Sequence, residues 1–229
     1  MHDDIRNRYK DEAAARAVAM VQSHSVIGLG TGTTAWFAIQ RLAARLHEGS
    51  LTNITGAPTS NGVRALAESL RIPLESADMP RPIDLTIDGA DEVAPGRLLI
   101  KGGGGALLRE KIVAQASQRV IIIVDEAKLS ERLGMKCPLP VEVLPFGWRS
   151  QLRFLESLGA TVTVRNTANG TPFTTDSGNM ILDCNFGAIA DPQELAVQLG
   201  ARGGIVGHGL FLGLATDIVI AGSDGVRQE

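Results

Sequence analysis

The chain has 229 residues, 44% of them hydrophobic and 21% charged, which excludes a disordered chain, a collagen and a coiled coil. Lys and Arg number 22 against 25 Asp and Glu, a formal net charge of -3 that leaves no basic excess for nucleic acid or an anionic membrane. Cys137 and Cys184 make no disulfide framework, and the polar start MHDDIRNRYKDE, with no long apolar run after it, points to a cytoplasmic protein.

Lys10 to Gln22 is alanine-rich, with Ala13, Ala14, Ala17, Val18 and Val21 at helical spacing, and Ser23 to Ser25 end it. The run Val26-Ile27-Gly28-Leu29 reads as a strand that stops in Gly30-Thr31-Gly32-Thr33-Thr34, before a helix with Ile39, Leu42, Ala43 and Leu46 inward. Ile54 to Ala57 is a short strand, Pro58 to Asn61 a loop, and a helix follows through Leu70. Ile83 to Ile87 is a strand that runs into Asp88-Gly89-Ala90-Asp91. Leu98 to Ile100 is another, followed by Lys101, four glycines and a helix carrying Leu107, Leu108, Ile112 and Val113. Val120-Ile121-Ile122-Ile123-Val124 has no polar alternation, the pattern of a strand buried on both faces. Parallel strands with helical crossovers, an α/β layer, account for this half of the chain.

After Gly134 the texture changes. Pro138, Pro140 and Pro145 punctuate Val141 to Leu144, and a helix is predicted from Trp148 to Leu158. Thr161 to Arg165 and Met180 to Leu182 alternate as half-buried antiparallel strands, divided by the turn-rich segment Asn166 to Asn179. Asp191-Pro192 supplies a cap and an N1 proline for a helix through Leu199. Gly204 to Gly207 and Asp217 to Ala221 look like the buried strands of the first part. The tail is therefore expected to return there, giving one domain of residues 1–134 and 207–229 with a small α+β domain, 135–206, inserted in it.

Three segments carry candidate chemistry. Gly28-Leu29-Gly30-Thr31-Gly32-Thr33-Thr34 lacks the third glycine of a dinucleotide fingerprint, but backbone N–H groups and threonine hydroxyls at a helix start form a phosphate cradle. Asp88-Gly89-Ala90-Asp91-Glu92 puts acids at a strand end with small residues between them, leaving room for a substrate; a magnesium site and a solvated turn are the alternatives. Lys101-Gly102-Gly103-Gly104-Gly105 is no Walker loop, since its lysine precedes the glycines. It suits a close backbone approach to a ligand, with Lys101 facing developing negative charge. Glu110, on the helix after it, either faces the same crevice or pairs with Arg109 or Lys111 on a wet helix face. Lys128 is within reach of that crevice. His24 and His47 stand alone, His208 between glycines reads as a turn residue, and neither a zinc spacing nor a Gly-x-Ser-x-Gly elbow occurs.

Taken together, GLGTGTTA (28–35), PTS (58–60), DLTIDGADEV (84–93), KGGGGALLREKIV (101–113), VDEAKLSERLG (124–134), PLPVEVLPF (138–146), GNMILD (178–183), GHGLF (207–211) and DGV (224–226) resemble the ribose-5-phosphate isomerase A family. The resemblance implies a Rossmann-like, mostly parallel domain with an inserted, smaller α+β (ferredoxin-like) domain. It also implies a homodimer or homotetramer, and interconversion of D-ribose 5-phosphate and D-ribulose 5-phosphate without metal or organic cofactor. Carried over by position, Glu110 is the base, Asp88 and Asp91 the ring-opening and hydroxyl-binding acids, and Lys101 the cation beside the enediolate oxygen. Thr31, Gly32, Thr33 and Thr34 bind phosphate with Lys128 and Lys10, and Gly89, Gly102 and Gly103 line the sugar. Asn61 to Arg64 and Gly207 depart from the family pattern, the first at a wall of the crevice. The alternatives are a coenzyme A transferase with a glutamate nucleophile, a sugar-phosphate deaminase or lactonase, and a non-catalytic sugar-phosphate sensor. The second lacks its crevice histidine; the third would normally carry a DNA-binding segment.

Overall fold

The computed structural model describes residues 2–79 and 81–229. In chain order it begins with α1 (His2–Val18), β1 (Val26–Leu29), α2 (Thr33–His47), β2 (Thr55–Pro58), α3 (Asn61–Ser69) and β3 (Ile83–Asp88). Then come β4 (Glu92–Ala94), β5 (Leu98–Ile100), α4 (Leu107–Gln115), β6 (Ser117–Asp125) and a 3-10 turn, Glu126–Lys128. β7 (Leu139–Val143), α5 (Trp148–Ser157), β8 (Thr161–Val164), β9 (Met180–Asn185) and α6 (Pro192–Gly200) follow. β10 (Ile205–His208), β11 (Leu210–Phe211), β12 (Asp217–Gly222) and β13 (Gly225–Gln228) close the chain. These elements form two compact units. One runs through Ala90 and adds Arg109–Lys128 and Gly213–Glu229; the other takes Asp91–Leu108 and Leu129–Leu212. No described helix is long and apolar enough to cross a membrane.

The first unit is built on a sheet of order β13-β12-β6-β3-β1-β2, parallel from β12 to β2, with β13 folded back antiparallel on β12. β2 lies on one side of β1 while β3 and β6 lie on the other, so the chain changes direction between β1 and β3. Open α/β sheets bind ligands beyond the carboxyl ends of the strands at such a switch point. Ile121 and Ile123 of β6 pack with Ile27, Leu29, Ile39, Leu42 and the fully buried Ala13, Ala14 and Ala17 of α1. Val113 of α4 packs with Val26, Ala57 and Ile83 in a second cluster. Val120 to Val124 are each no more than 3% exposed, which is why that run carries no polar residue. α1 starts well before Lys10, in polar turns that carry no apolar stripe to mark them in the sequence.

In the second unit, β7-α5-β8-β9-α6-β10 folds as a βαββαβ unit with the antiparallel order β10-β7-β9-β8. Val141, Val143, Leu155, Leu182, Cys184 and Leu199 fill its core. Asp191 caps α6 as expected, accepting from the Glu194 N–H at 3.0 Å, with Pro192 in the first turn. Two strands differ from the sequence reading. β5, expected among parallel strands, is antiparallel between β4 and β11 in a separate three-stranded sheet. β10, expected to resemble the strands of the first part, pairs antiparallel with β7, and His208 is opposite Val141 in the ladder rather than in a turn. A short apolar run looks the same in either kind of sheet, so its partner is not written in it.

Candidate active site

In the first unit the loop after β1 and the end of β3 are neighbours. Gly30 passes so close to Asp88 that an added Cβ would overlap its carboxylate and its Cα, and the Gly30 N–H donates to Ile87 O at 3.0 Å. The Thr31 N–H donates to Asp88 Oδ1 at 3.1 Å, and the Gly89 N–H donates to the same oxygen at 2.7 Å. Asp88 is 2% exposed, so the solvated-turn reading of this carboxylate does not hold. The Thr31 hydroxyl bonds Thr59 Oγ1 at 2.7 Å and Ser60 Oγ at 2.9 Å, bracing the loop against the end of β2. Gly32 and Thr33 are exposed and Thr34 is buried.

α2 begins on Gly32, and no side chain caps it. α3 and α6, by contrast, are capped by Ser60 and Asp191. The first-turn N–H groups of α2 are therefore not taken by a cap, and with the helix dipole behind them they favour an anion. A cleft of about 350 Å³ beside the loop is lined by Thr31, Gly32, Trp36, Ile39, Gly62 and Val63 among others. Gly62 and Val63 of the Asn61–Arg64 segment line this cleft.

Glu110 is 3% exposed and does not lie on a wet helix face. α4 leads into β6, which runs parallel to β3, so the helix starts at the carboxyl-end side of the sheet. Val113 packs at Gly28, where an added Cβ would come within 2.8 Å of it. Glu110, three residues earlier, shares that face one turn nearer the helix start. Beside it, Arg109 donates to Asn61 Oδ1 at 2.9 Å, and burial pushes the Lys111 ammonium down to about 8. Lys128 ends the 3-10 turn after β6, which Asp125 fixes by accepting from the Ala127 N–H at 3.0 Å. Lys10 is half-buried on α1, beside Asp11, whose carboxylate holds Arg41 of α2 at 2.6 Å.

In the second unit Asp91 meets the glycine run. Its backbone N–H donates to Ile100 O at 2.8 Å, and its Oδ2 accepts from the Gly103 N–H at 2.7 Å. A Cβ on Gly103 would sit 2.6 Å from Asp91 Oδ1, so only glycine permits this approach. Lys101 is 3% exposed. Its N–H donates to Gly209 O at 2.9 Å, and its Nζ lies 5.4 Å from the centre of the Phe211 ring.

Glu92, the third acid of the motif, has a different task. It is fully buried and accepts from the Ser130 hydroxyl at 2.6 Å and from the N–H groups of Gly134, Met135 and Lys136 at 3.0–3.2 Å. One carboxylate thus fixes the segment after Leu129. Asp88, Asp91 and Glu92 each serve separate donors. Among the described residues no group of three His, Cys, Asp or Glu is gathered for a metal. Sequence reasoning also passed over Arg165. Its Nη1 donates to Gly102 O at 2.8 Å and Gly103 O at 3.0 Å, and no local signal announces a partner more than sixty residues away.

The chain matches the family model of Ribose 5-phosphate isomerase A (phosphoriboisomerase A) over residues 55–225. Ribose-5-phosphate isomerase A of Chloroflexus aurantiacus is 58% identical over 219 residues, covering 96% of this chain and 92% of that one. The structure of ribose 5-phosphate isomerase from Plasmodium falciparum is 38% identical with a TM-score of 0.94, covering 97% of this chain and 98% of that one. That of ribose 5-phosphate isomerase A from Methanocaldococcus jannaschii is 37% identical with a TM-score of 0.92, covering 100% and 99%. With the parallel sheet, the glycine loop at its switch point and the DGADE and KGGGG motifs in place, the chain belongs to the ribose 5-phosphate isomerase A family.

Proposed function

We propose that the protein interconverts D-ribose 5-phosphate and D-ribulose 5-phosphate by proton transfer through an enediolate, as an isomerase of the pentose phosphate pathway. The observation that carries this reading is the pairing, within the first unit, of an uncapped helix start with a buried carboxylate at the end of β3, in a chain of this family. The loop Thr31 to Thr34 takes the phosphate through backbone N–H groups and the Thr33 hydroxyl, with Lys128 and Lys10 adding charge. Holding the phosphate positions the reacting end of the sugar.

Closed furanose must open before it reacts. Asp88 exchanges the proton that ring opening requires, and Asp91 orients a sugar hydroxyl. Glu110 then removes the proton from C2 and returns it to C1, a transfer that a single carboxylate reaching both carbons performs. Lys101 faces the oxygen that becomes negative as the enediolate forms. Gly89, Gly102 and Gly103 let backbone approach the sugar. No step calls for a metal or an organic cofactor. The family resemblance further supports a homodimer or homotetramer working in the cytoplasm.

The test is direct. The protein is mixed with ribose 5-phosphate in EDTA and ketose formation is followed; turnover without added metal or nucleotide is expected. No ketose under those conditions, with the protein folded, contradicts the reading.

A further inference from the structure

Arg165 follows β8 and is clasped by Asp183 of β9. Its Nη2 bonds Asp183 Oδ1, and its Nε donates to Asp183 Oδ2 at 2.9 Å, a two-point contact that fixes the guanidinium plane. The pair is mostly buried, at 15% and 20% side-chain exposure, so water screens it less than it would a surface pair. The remaining edge of the guanidinium, through Nη1, donates to the carbonyls of Gly102 and Gly103 at 2.8 and 3.0 Å.

The Gly102 carbonyl and the Gly103 N–H belong to one peptide group, and in a trans peptide they point in opposite directions. On one side that group accepts from the Arg165 cation; on the other it donates to Asp91 Oδ2 at 2.7 Å. A cation, a peptide and a carboxylate therefore stand in one chain of hydrogen bonds, each polarising the next. The segment that follows β8 gives a second support. The Phe173 ring lies against Gly105, where an added Cβ would come within 2.5 Å of it, and the Phe173 N–H donates to Arg165 O at 2.9 Å.

We propose that Arg165, held by Asp183, is a positioning residue for the isomerisation. It fixes the Gly102–Gly103 peptide and, through it, the Asp91 carboxylate. The inference rests on the reading in which Asp91 orients the sugar. Arg165 itself touches no reacting atom. A lysine cannot replace it, because one ammonium cannot hold both Asp183 oxygens while donating to two carbonyls.

The experiment compares kcat/KM for Arg165→Ala, Asp91→Asn and the double variant, with circular dichroism and thermal unfolding to establish that each is folded. Misplacing the glycine run lowers kcat/KM of Arg165→Ala by roughly 10- to 100-fold. The same substitution made in Asp91→Asn changes it little, since the two act in series. Guanidinium ion added to Arg165→Ala restores part of the activity, which a merely structural role would not show. Should Arg165→Ala not fold, Arg165→Lys takes its place, with a smaller loss expected and the same dependence on Asp91. Wild-type kcat/KM in the folded Arg165 variant, or an equal loss in both backgrounds, overturns the proposal. Wild-type activity of Asp91→Asn overturns the reading of Asp91 itself and the inference with it, a result distinct from failure at Arg165 alone.

Discussion

The glycine segments after β1 and after β5 look alike in sequence, each a strand that ends in glycines before a helix, but they are held in place differently. Residues 30–34 take their support from the ends of adjacent parallel strands: Asp88 at the end of β1's neighbour β3, Thr59 and Ser60 after β2. Residues 101–105 take theirs from far along the chain, with Arg165 on two carbonyls and Phe173 against Gly105. A loop at the switch point of a parallel sheet receives its geometry from the topology. A loop after a three-residue strand of a small separate sheet needs side chains brought to it, and the antiparallel β10-β7-β9-β8 sheet with its following segment supplies them. The functional reading follows the same division: the first segment binds, the second serves the transition state.

The largest effects test that division on the catalytic side. Glu110→Gln deletes the base and keeps the shape, so kcat falls by at least about 100-fold with substrate affinity largely retained. Lys101→Ala is expected to cost kcat on the order of 100-fold while the dissociation constant changes much less, because the charge it faces develops only in the transition state. On the binding side, Thr33→Val weakens ribose 5-phosphate by roughly 1–3 kcal/mol in calorimetry through a lost charge-assisted donor, with inorganic phosphate weakened in parallel. If Lys101→Ala lost affinity and Thr33→Val lost kcat, the two roles would be reversed.

Smaller effects concern the scaffolds. Glu92→Gln replaces an all-acceptor carboxylate, facing four donors, with an amide whose NH2 cannot accept, and costs about 1–3 kcal/mol of stability by chemical denaturation, with the change felt first in the segment after Leu129. An unchanged midpoint would mean that this segment is held by its backbone alone. In the first unit, hydrogen bonds from Arg119, and also from Thr216 and Gln228, hold the Asp217 carboxyl well below the usual carboxylate range. A depressed folded pKa stabilises above the unfolded value near 4, and that contribution is lost as pH falls through the folded value. Stability of Asp217→Asn should therefore lie about 1 kcal/mol below wild type at pH 7 and converge with it toward pH 2. Parallel curves at both pH values would remove the ion pair from the account.

Much of this was legible from the residues. The apolar run of β6 reports burial on both faces, and the glycine loop after β1 announces itself by the strand and helix patterns on either side of it. Gly30 follows β1 and Asp88 ends β3, two strands whose pairing follows from the α/β alternation. What the sequence did not show depends on contacts without a local signature. β4 is three residues long and includes an acid, so no periodicity marks it. β10 has the same apolar texture as a parallel strand, and only its pairing with β7 reveals its sheet. Glu92 sits in a motif with Asp88 and Asp91 and reads as chemistry, yet its partners lie about forty residues later and make it a clamp. Arg165 ends an alternating strand where an exposed arginine is ordinary, and only the fold brings it to Gly102.

The central claim is that a proton, taken from C2 by one base, is returned to C1. Ribose 5-phosphate carrying deuterium at C2 tests it most directly, with the label followed by NMR as the wild-type protein converts it. Abstraction by Glu110 predicts that part of the deuterium appears at C1 of ribulose 5-phosphate and the rest is lost to solvent, because a protonated carboxyl exchanges before it redelivers. Complete retention at C1, with none in water, would mean direct hydride transfer and contradict the enediolate route.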